Sequence, residues 1–395
     1  MLFDVTRLVS RLIDGKRPTG VDRVSLAYLT CFRADARALV RHLGRWIMFS
    51  PPQSQRIFAN LLGETDNPAG RIRRIVALGH LQQVRAPLCN AVLFNTGHIG
   101  LDDPDYAVQV KRYGLRPFYF LHDLIPISHP EYCRDGEAER HQRRLMTMLQ
   151  TGRGLIANSA DTFEALRDFA RGHGLELPPV IIAPIGTVSL PPPPPAPPLE
   201  SERPYFVMLG TIEPRKNHLL LLNVWRRIVE AARQTGTNLR DIPRLVLIGQ
   251  RGWEFEQVLD LLERCPSLPG HVIELPSCDD IALSSWLHHA RALLFPSFVE
   301  GFGMPLVEAL AHGVPVIASD LGVFREIAGA VPDYVDPLDG PGWISMIRDY
   351  SRPGSLCRAA QIERLSSFQP PRWSTHFELV TGFVQSISAE ASLVC

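Results

Sequence analysis

The chain has 395 residues, 45% of them hydrophobic and 21% charged, enough apolar material for packed cores and against global disorder. Lysine plus arginine and aspartate plus glutamate both number 41, so the formal net charge is zero, which argues against a strongly basic nucleic-acid-binding fold. No apolar run reaches the roughly 18 residues of a membrane span, and MLFDVTRLVSRLIDG at the N-terminus lacks the apolar core of a secretory signal.

At roughly 100–200 residues per domain, the length predicts two or three domains. In the first half, strands are expected at Ala91–Thr96, Pro117–Leu121, Gly154–Ala157 and Val180–Pro184, and helices at Val21–Phe32, Gly136–Gln150 and Ser159–Ala170. Asn158–Ser159 fit the start of the last helix, with Ser159 as its N-cap. Pro191–Pro198, PPPPPAPP, cannot continue a helix or join a sheet interior. At about 3.1 Å per residue it reads as a semi-rigid spacer on the order of 25 Å long. Beyond it, strands are expected at Tyr205–Leu209, Arg244–Ile248, Val272–Leu275, Ala292–Phe295 and Pro315–Ala318. The helices expected between them are His218–Glu230, Glu254–Glu263, Asp279–His289 and Pro305–His312. Trp373–Ile387 reads as a final amphipathic helix with a frayed tail, SAEASLVC.

The apolar runs do not alternate, which is how parallel strands covered on both faces read. Strand–helix alternation in both halves therefore predicts two doubly wound α/β domains. The expected division is 1–190, a Pro-rich linker at 191–203, a second domain at 204–370, and a helix with tail at 371–395 packing back on the first domain. Ligands of such sheets bind beyond the carboxyl ends of the strands, so a cleft between two such domains is the expected site.

Cys31, Cys89, Cys133, Cys265, Cys278, Cys357 and Cys395 are scattered and form no C-x-x-C pair. That pattern opposes a disulfide framework or zinc site and fits small packing residues in a reducing cytoplasm. The first half is mildly basic and the second mildly acidic. Its arginine clusters, Arg71–Arg74 and Arg140–Arg144, suit either an anionic membrane surface or plain solvated helix faces.

Two motifs carry chemistry. Phe295–Leu310, FPSFVEGFGMPLVEAL, places a buried strand, a loop with Gly301 and Gly303, and a helix start at Met304–Pro305 in succession. The amides of such a loop, with the helix dipole behind them, form an anion site. Glu300 and Glu308, spaced E-x7-E, are placed to accept hydrogen bonds from sugar and ribose hydroxyls. Gly210–His218, GTIEPRKNH, follows the strand YFVML and opens the next helix. Arg215 suits forked binding of phosphate oxygens and Lys216 a point charge. Cations are disfavoured at a helix N-terminus unless an anion joins them.

On these motifs the chain resembles the retaining GT-B glycosyltransferases of family GT4, in particular the branch with bacterial mannosyltransferases of O-antigen and capsule assembly. The resemblance is most specific over residues 204–330. It implies that Arg215 and Lys216 hold the donor diphosphate, that Glu300 touches the donor hexose, and that Glu308 binds the ribose. It further implies that the amides of Phe302, Gly303 and Met304 complete the diphosphate site. GTIEPRKN departs from the Gly-Arg-x-x-x-KN form of the family.

In the first half, TGVDR at Thr19–Arg23 stands where the family has a glycine-rich loop. Gly20 there suits close approach to phosphates and a plain helix start equally. His122, at the end of the strand FYFL and followed by Asp123, resembles the family's histidine near the transferred sugar, able to donate or accept near neutral pH. His129 reads as structural. Asp320 and Glu326 lie in a loop whose backbone is expected near the sugar.

The resemblance implies front-face transfer with retention, since Asp123 is the only nearby first-half carboxylate for a double-displacement route. Asp102–Asp105, DDPD, reads as a loop rather than a metal-binding DxD, so no metal and no cofactor is expected. The expected activity moves a hexose, mannose from GDP-mannose by resemblance, from a sugar nucleotide to a glycan or lipid-linked oligosaccharide acceptor. The enzyme would be cytoplasmic, with a possible peripheral inner-membrane contact and no nucleic-acid partner. A sugar-nucleotide epimerase or a non-catalytic scaffold on the same fold are the alternatives.

Overall fold

The computed structural model describes residues 1–80, 90–188, 190–198 and 203–393, with side chains to 389. Cys89, Cys395 and part of the spacer expected at 191–203 lie outside the described residues.

Thirteen strands form two sheets among the described residues. The first sheet comprises β1 (Leu2–Asp4), β2 (Arg37–His42), β3 (Arg45–Met48), β4 (Val92–Asn95), β5 (Arg116–Leu121), β6 (Gly154–Ala157) and β7 (Val180–Ile182). Their order is β3-β2-β1-β4-β5-β6-β7, all parallel except the β2–β3 pair. The second comprises β8 (Tyr205–Leu209), β9 (Arg244–Ile248), β10 (Val272–Leu275), β11 (Leu293–Phe295), β12 (Val316–Ser319) and β13 (Asp333–Val335). It is parallel throughout, in the order β10-β9-β8-β11-β12-β13. Both are doubly wound, and the direction of winding reverses between β1 and β4 in one and between β8 and β11 in the other.

Two compact units result. One contains Met1–Ile127, Gly136–Ile185 and Arg372–Cys395, and the other Ser128–Asp135 and Gly186–Pro371. The spacer carbonyls are bound within the second unit: Ser284 Oγ donates to Pro191 O at 2.6 Å, and His289 Nε2 to Pro194 O at 3.3 Å.

The expected strands are present with ends shifted by a residue or two, and β1, β2, β3 and β13 are additions. β1 and β13 are three residues each, too short for a pattern. β2 has charged or polar ends (RALVRH), and β3 is an antiparallel edge strand. The central strands β5 and β8 are buried along nearly their whole length. Ser159 caps the helix Ala160–Gly172, accepting from Thr162 N–H at 3.1 Å. The cysteines depart from expectation in part: Cys265 packs on the second core, but Cys31 and Cys357 are exposed.

The helix Trp373–Leu393 packs on β6 and β7. Its anchor is His376, 1% exposed, with Nδ1 2.9 Å from Pro184 O and Nε2 2.9 Å from Tyr28 Oη. Since a carbonyl only accepts, Nδ1–H donates to Pro184 and Nε2 accepts from the Tyr28 hydroxyl. Burial pushes His376 down to about 4, below the ordinary 6.5. The unfolded chain therefore binds the extra proton between these values, and the stability from neutral His376 is lost as pH falls through the window. Denaturant titrations should show the protein losing stability from about pH 6.5 toward about 4, and His376→Phe should flatten that slope; an unchanged slope in the variant would assign it to other groups.

Candidate functional site

The loops after β8 and β11 meet because these strands are neighbours at the switch point of the second sheet. Gly210 leaves β8 with φ 138°, in a region that favours glycine. A Cβ at Gly249 would lie 1.9 Å from Gly210 O, so glycine at 249 is needed for the close passage of these two chain segments. The chain then makes one short turn, Pro214–Lys216, and enters the helix His218–Thr235 through Asn217, whose φ is 61°. Asn217 Nδ2 donates to Pro296 O at 3.1 Å and to Pro337 O at 2.9 Å, tying this turn to the loops after β11 and β13. Phe298 N–H donates to Arg215 O at 2.8 Å, a second tie.

These ties bring four charges together. Arg215 pairs with Glu213 at 2.6 Å and with Glu300 at 2.7 Å. Lys216 donates to the other oxygen of Glu300, which also accepts from Ser297 Oγ at 2.8 Å. Glu213, Lys216 and Glu300 are all buried. Lys216 Nζ also lies over the Phe295 ring, 4.9 Å from its centroid. Burial opposes ionisation of Glu300, but Arg215 and Lys216 overcome it and hold the carboxyl down at about 2. Glu213 is pushed up, burial outweighing Arg215 and Lys216. Burial, and then the charge of Lys216, push His218 down to about 3, so it is neutral near pH 7.

Gly303, at φ 95°, precedes the helix Met304–Ala311. A Cβ there would approach Phe324 Cε1 to 2.6 Å, so the position is glycine on both conformational and steric grounds. Pro305 has no N–H, and the Leu306 and Val307 N–H groups donate to Gly303 O, so Gly303 and Met304 supply the amides of this helix start. Phe302 and Glu308 are buried on either side of this start. The structure thus gathers Arg215, Lys216, Glu300, Phe302, Gly303, Met304 and Glu308 at the end of one sheet.

The sites expected in the first half sit in the other unit. Gly20 is the exposed first residue of the helix Gly20–Phe32. The segment is a capping box, Thr19 with Asp22, and Asp22 also pairs with Arg7 and Arg11, each at 2.7 Å. His122 is buried, and its Nε2 is 2.7 Å from Thr96 O, so Nε2–H is spent on that carbonyl and Nδ1 is the accepting nitrogen. Burial pushes it down to about 4. Its ring centroid is 5.0 Å from that of His98, which in turn is 6.0 Å from that of His141. Asp123 Oδ1 accepts from Ile125 N–H, and Asn158 Nδ2 donates to His122 O at 2.8 Å.

Several expectations change in detail. DDPD is not a plain loop: Asp103 caps the helix Pro104–Arg112, and Asp102 lies 3.6 Å from Arg140 and 3.7 Å from Arg144. Arg144 also pairs with Glu137 at 2.7 Å, so the charge of Arg140–Arg144 is largely matched locally. Asp320 is exposed and bidentate to Arg325. His129 is half-buried, with Nδ1 2.9 Å from Ser128 Oγ and its ring 6.0 Å from that of Tyr132. Among the described residues no group of three or more His, Cys, Asp or Glu could hold a metal ion, and no helix is long and apolar enough to cross a membrane. Glu213 and Ser297 were missed by sequence reasoning, although each lies inside a motif it singled out.

The Glu300–cation pairing has a measurable consequence. Glu300→Gln leaves Lys216 buried without its carboxylate, at a cost of about 3–5 kcal/mol. Because its folded value is depressed from 4.5 to about 2, the contribution of Glu300 is full above 4.5 and lost as pH falls toward about 2. Chemical denaturation should therefore show wild type and variant converging over that acid range; a constant difference would mean that Glu300 is not held ionised.

Comparison with known proteins places this arrangement. Residues 194–331 match the family Glycosyl transferases group 1. The serotype-specific mannosyltransferase WbdA of Escherichia coli is 28% identical over 242 residues, 57% of this chain and 29% of that protein. The O-antigen chain mannosyltransferase B of Escherichia coli is 35% identical over 135 residues, 34% of this chain and 33% of that protein. The chain thus aligns with a third or less of the length of either. The crystal structure of Anabaena Alr3699/HepE in complex with UDP and glucose superposes with a TM-score of 0.65 over 98% of this chain and 99% of that one, at 15% identity. Sucrose-phosphate synthase from Thermosynechococcus elongatus gives 0.59 over 93% of each chain, at 16% identity. The fold is GT-B, and the likeness to GT4 mannosyltransferases read from the sequence is borne out. The segment 194–331, which holds the whole charged cluster at the second switch point, is the part of the chain that matches Glycosyl transferases group 1.

Proposed function

We propose that the protein is a retaining hexosyltransferase that moves a sugar, mannose from GDP-mannose in the first instance, from a sugar nucleotide to a surface-glycan or lipid-linked acceptor. The observation that carries this reading is the sharing of Glu300 between Arg215 and Lys216 beside a glycine-led helix start. Two adjacent cations and a helix N-terminus suit a diphosphate, and a buried carboxylate suits sugar hydroxyls. The named activities of the O-antigen mannosyltransferases support mannose.

An arriving diphosphate competes with Glu300 for the two cations. Arg215 and Lys216 turn toward phosphate oxygens, and the Glu300 carboxylate becomes available to sugar hydroxyls. Ser297, already bonded to it, keeps it in place. As the glycosidic bond to phosphate breaks, charge grows on the leaving diphosphate, and the two cations and the helix amides stabilise it. Their fixed charge is the support for transfer without a metal. With Asp123 engaged in its own turn, front-face attack, in which the leaving phosphate takes the acceptor proton, is the route consistent with retention. His122, neutral and with Nδ1 as acceptor, suits a hydroxyl of the transferred sugar. We place the reaction in the cytoplasm, at the membrane face where lipid-linked acceptors are presented.

Two measurements test this. Thermal stability should rise with one family of sugar nucleotides, irrespective of EDTA; at 100 times the dissociation constant the gain is about 2.7 kcal/mol. Turnover, followed as nucleotide release with acceptor, should drop about 10²-fold or more in Lys216→Ala and in Glu300→Ala. Near-normal turnover in both variants would refute the site.

A further inference from the structure

A cavity of about 420 Å³ opens in the second unit beside the charged cluster. Its walls come from the starts of the helices His218–Thr235 and Glu256–Arg264, from the loop after β11, and from Tyr132. These two helices touch and follow β8 and β9, on one side of the switch point. The helix Met304–Ala311 follows β11, on the other side, where right-handed crossovers put it on the opposite face of the sheet. The cavity is therefore separate from the glycine-led helix start and Glu308.

Its chemistry is distinctive. Tyr132 and Phe298 lie parallel, with ring centroids 5.1 Å apart and planes at 3°, and Phe255 adds a third aromatic side chain to the lining. Glu254, Glu256 and Gln257 line it as well, and the first two are exposed. Glu254 has φ 48°, a left-handed backbone that a non-glycine residue adopts only where its surroundings enforce it. His218, 2% exposed, forms part of the wall, and its Nδ1 has no hydrogen-bond partner among the described residues. Aromatic faces cover the C–H face of a sugar ring, while carboxylates, an amide and a neutral imidazole meet its hydroxyls. A phosphate would be repelled by the carboxylates, and a purely apolar ligand would leave them desolvated without partners.

We propose that this cavity is a carbohydrate subsite that binds a pyranose unit of the acceptor glycan, beside and distinct from the donor site. The identification of that sugar as acceptor rests on the transferase reading above. Bound there, a sugar unit of the glycan would share Glu213 and Asn217, which line the cavity, with the turn that carries Arg215 and Lys216. The subsite would thus hold a growing chain near the reacting end without using the donor groups.

The test is saturation-transfer NMR on the full chain, using the methyl α-glycosides of mannose, glucose and galactose and a short manno-oligosaccharide, each with and without saturating GDP or UDP. The expected result is transfer to at least one sugar that persists with nucleotide bound. Tyr132→Ala and Glu256→Gln, both partly or fully exposed positions, should each weaken it about tenfold, the size of one aromatic contact or less. Nucleotide-induced thermal stabilisation should be unchanged in both variants, which also shows that they fold. No transfer to any sugar in a protein that GDP or UDP stabilises would overturn the subsite, as would transfer displaced by nucleotide or indifferent to both substitutions. Sugar binding in a protein that no nucleotide stabilises would keep the subsite and remove the transferase reading instead.

Discussion

Everything at the second switch point depends on one carboxylate shared by two cations. Glu300 is separated from Lys216 by 84 residues, and the two meet only because β8 and β11 are neighbours. Burying such charges is expensive, and a buried ion pair is weak support for stability. The protein surrounds this one with secondary ties: Ser297 to Glu300, Phe298 N–H to Arg215 O, and Asn217 to two carbonyls. What the arrangement gains is position. Both cations are fixed on one carboxylate, Lys216 buried and Arg215 partly so, and preset charge of this kind is the condition for strong stabilisation of charge that develops later.

The glycines serve the same end by steric means. Gly249 lets two strand exits pass at a distance no side chain allows, and Gly303 turns the chain into its helix under Phe324. Alanine at Gly249 would push the β9 exit against the β8 exit, and so would move Arg215 and Lys216 without touching either. Backbone packing and electrostatics therefore converge on the same few residues.

Much of this was legible in the sequence because both motifs follow strands without interruption. GTIEPRKNH and FPSFVEGFG are each read from a buried apolar run into polar residues, so their place at strand ends needs no tertiary knowledge. The pairing of Arg215 with Glu213 and the support from Ser297 were not legible, since neither spacing nor residue type says which charge faces which. The first half was harder for a different reason. Its buried histidines lie on separate segments: His98 and His141 come from a loop and a helix flanking β5, and they join His122 only in the folded sheet. TGVDR suited phosphate approach and a plain helix start equally, and the capping role of Asp22 and its pairing with Arg7 and Arg11 became visible only in the fold.

Both units bury matched charge, Asp22 with Arg7 and Arg11 in the first and Glu300 with Lys216 in the second. The first also buries three neighbouring histidines: Nε2 of His98, His122 and His141 lies 2.5, 2.7 and 3.1 Å from the carbonyl oxygens of Phe120, Thr96 and Asp123 respectively. Each such bond fixes a tautomer with Nδ1 free to accept, because a carbonyl cannot donate. Burial lowers all three, so a proton added to one would be opposed by low polarity and by its neighbours. His122 is thereby restricted to an acceptor role over the ordinary pH range, narrower than its residue type allows.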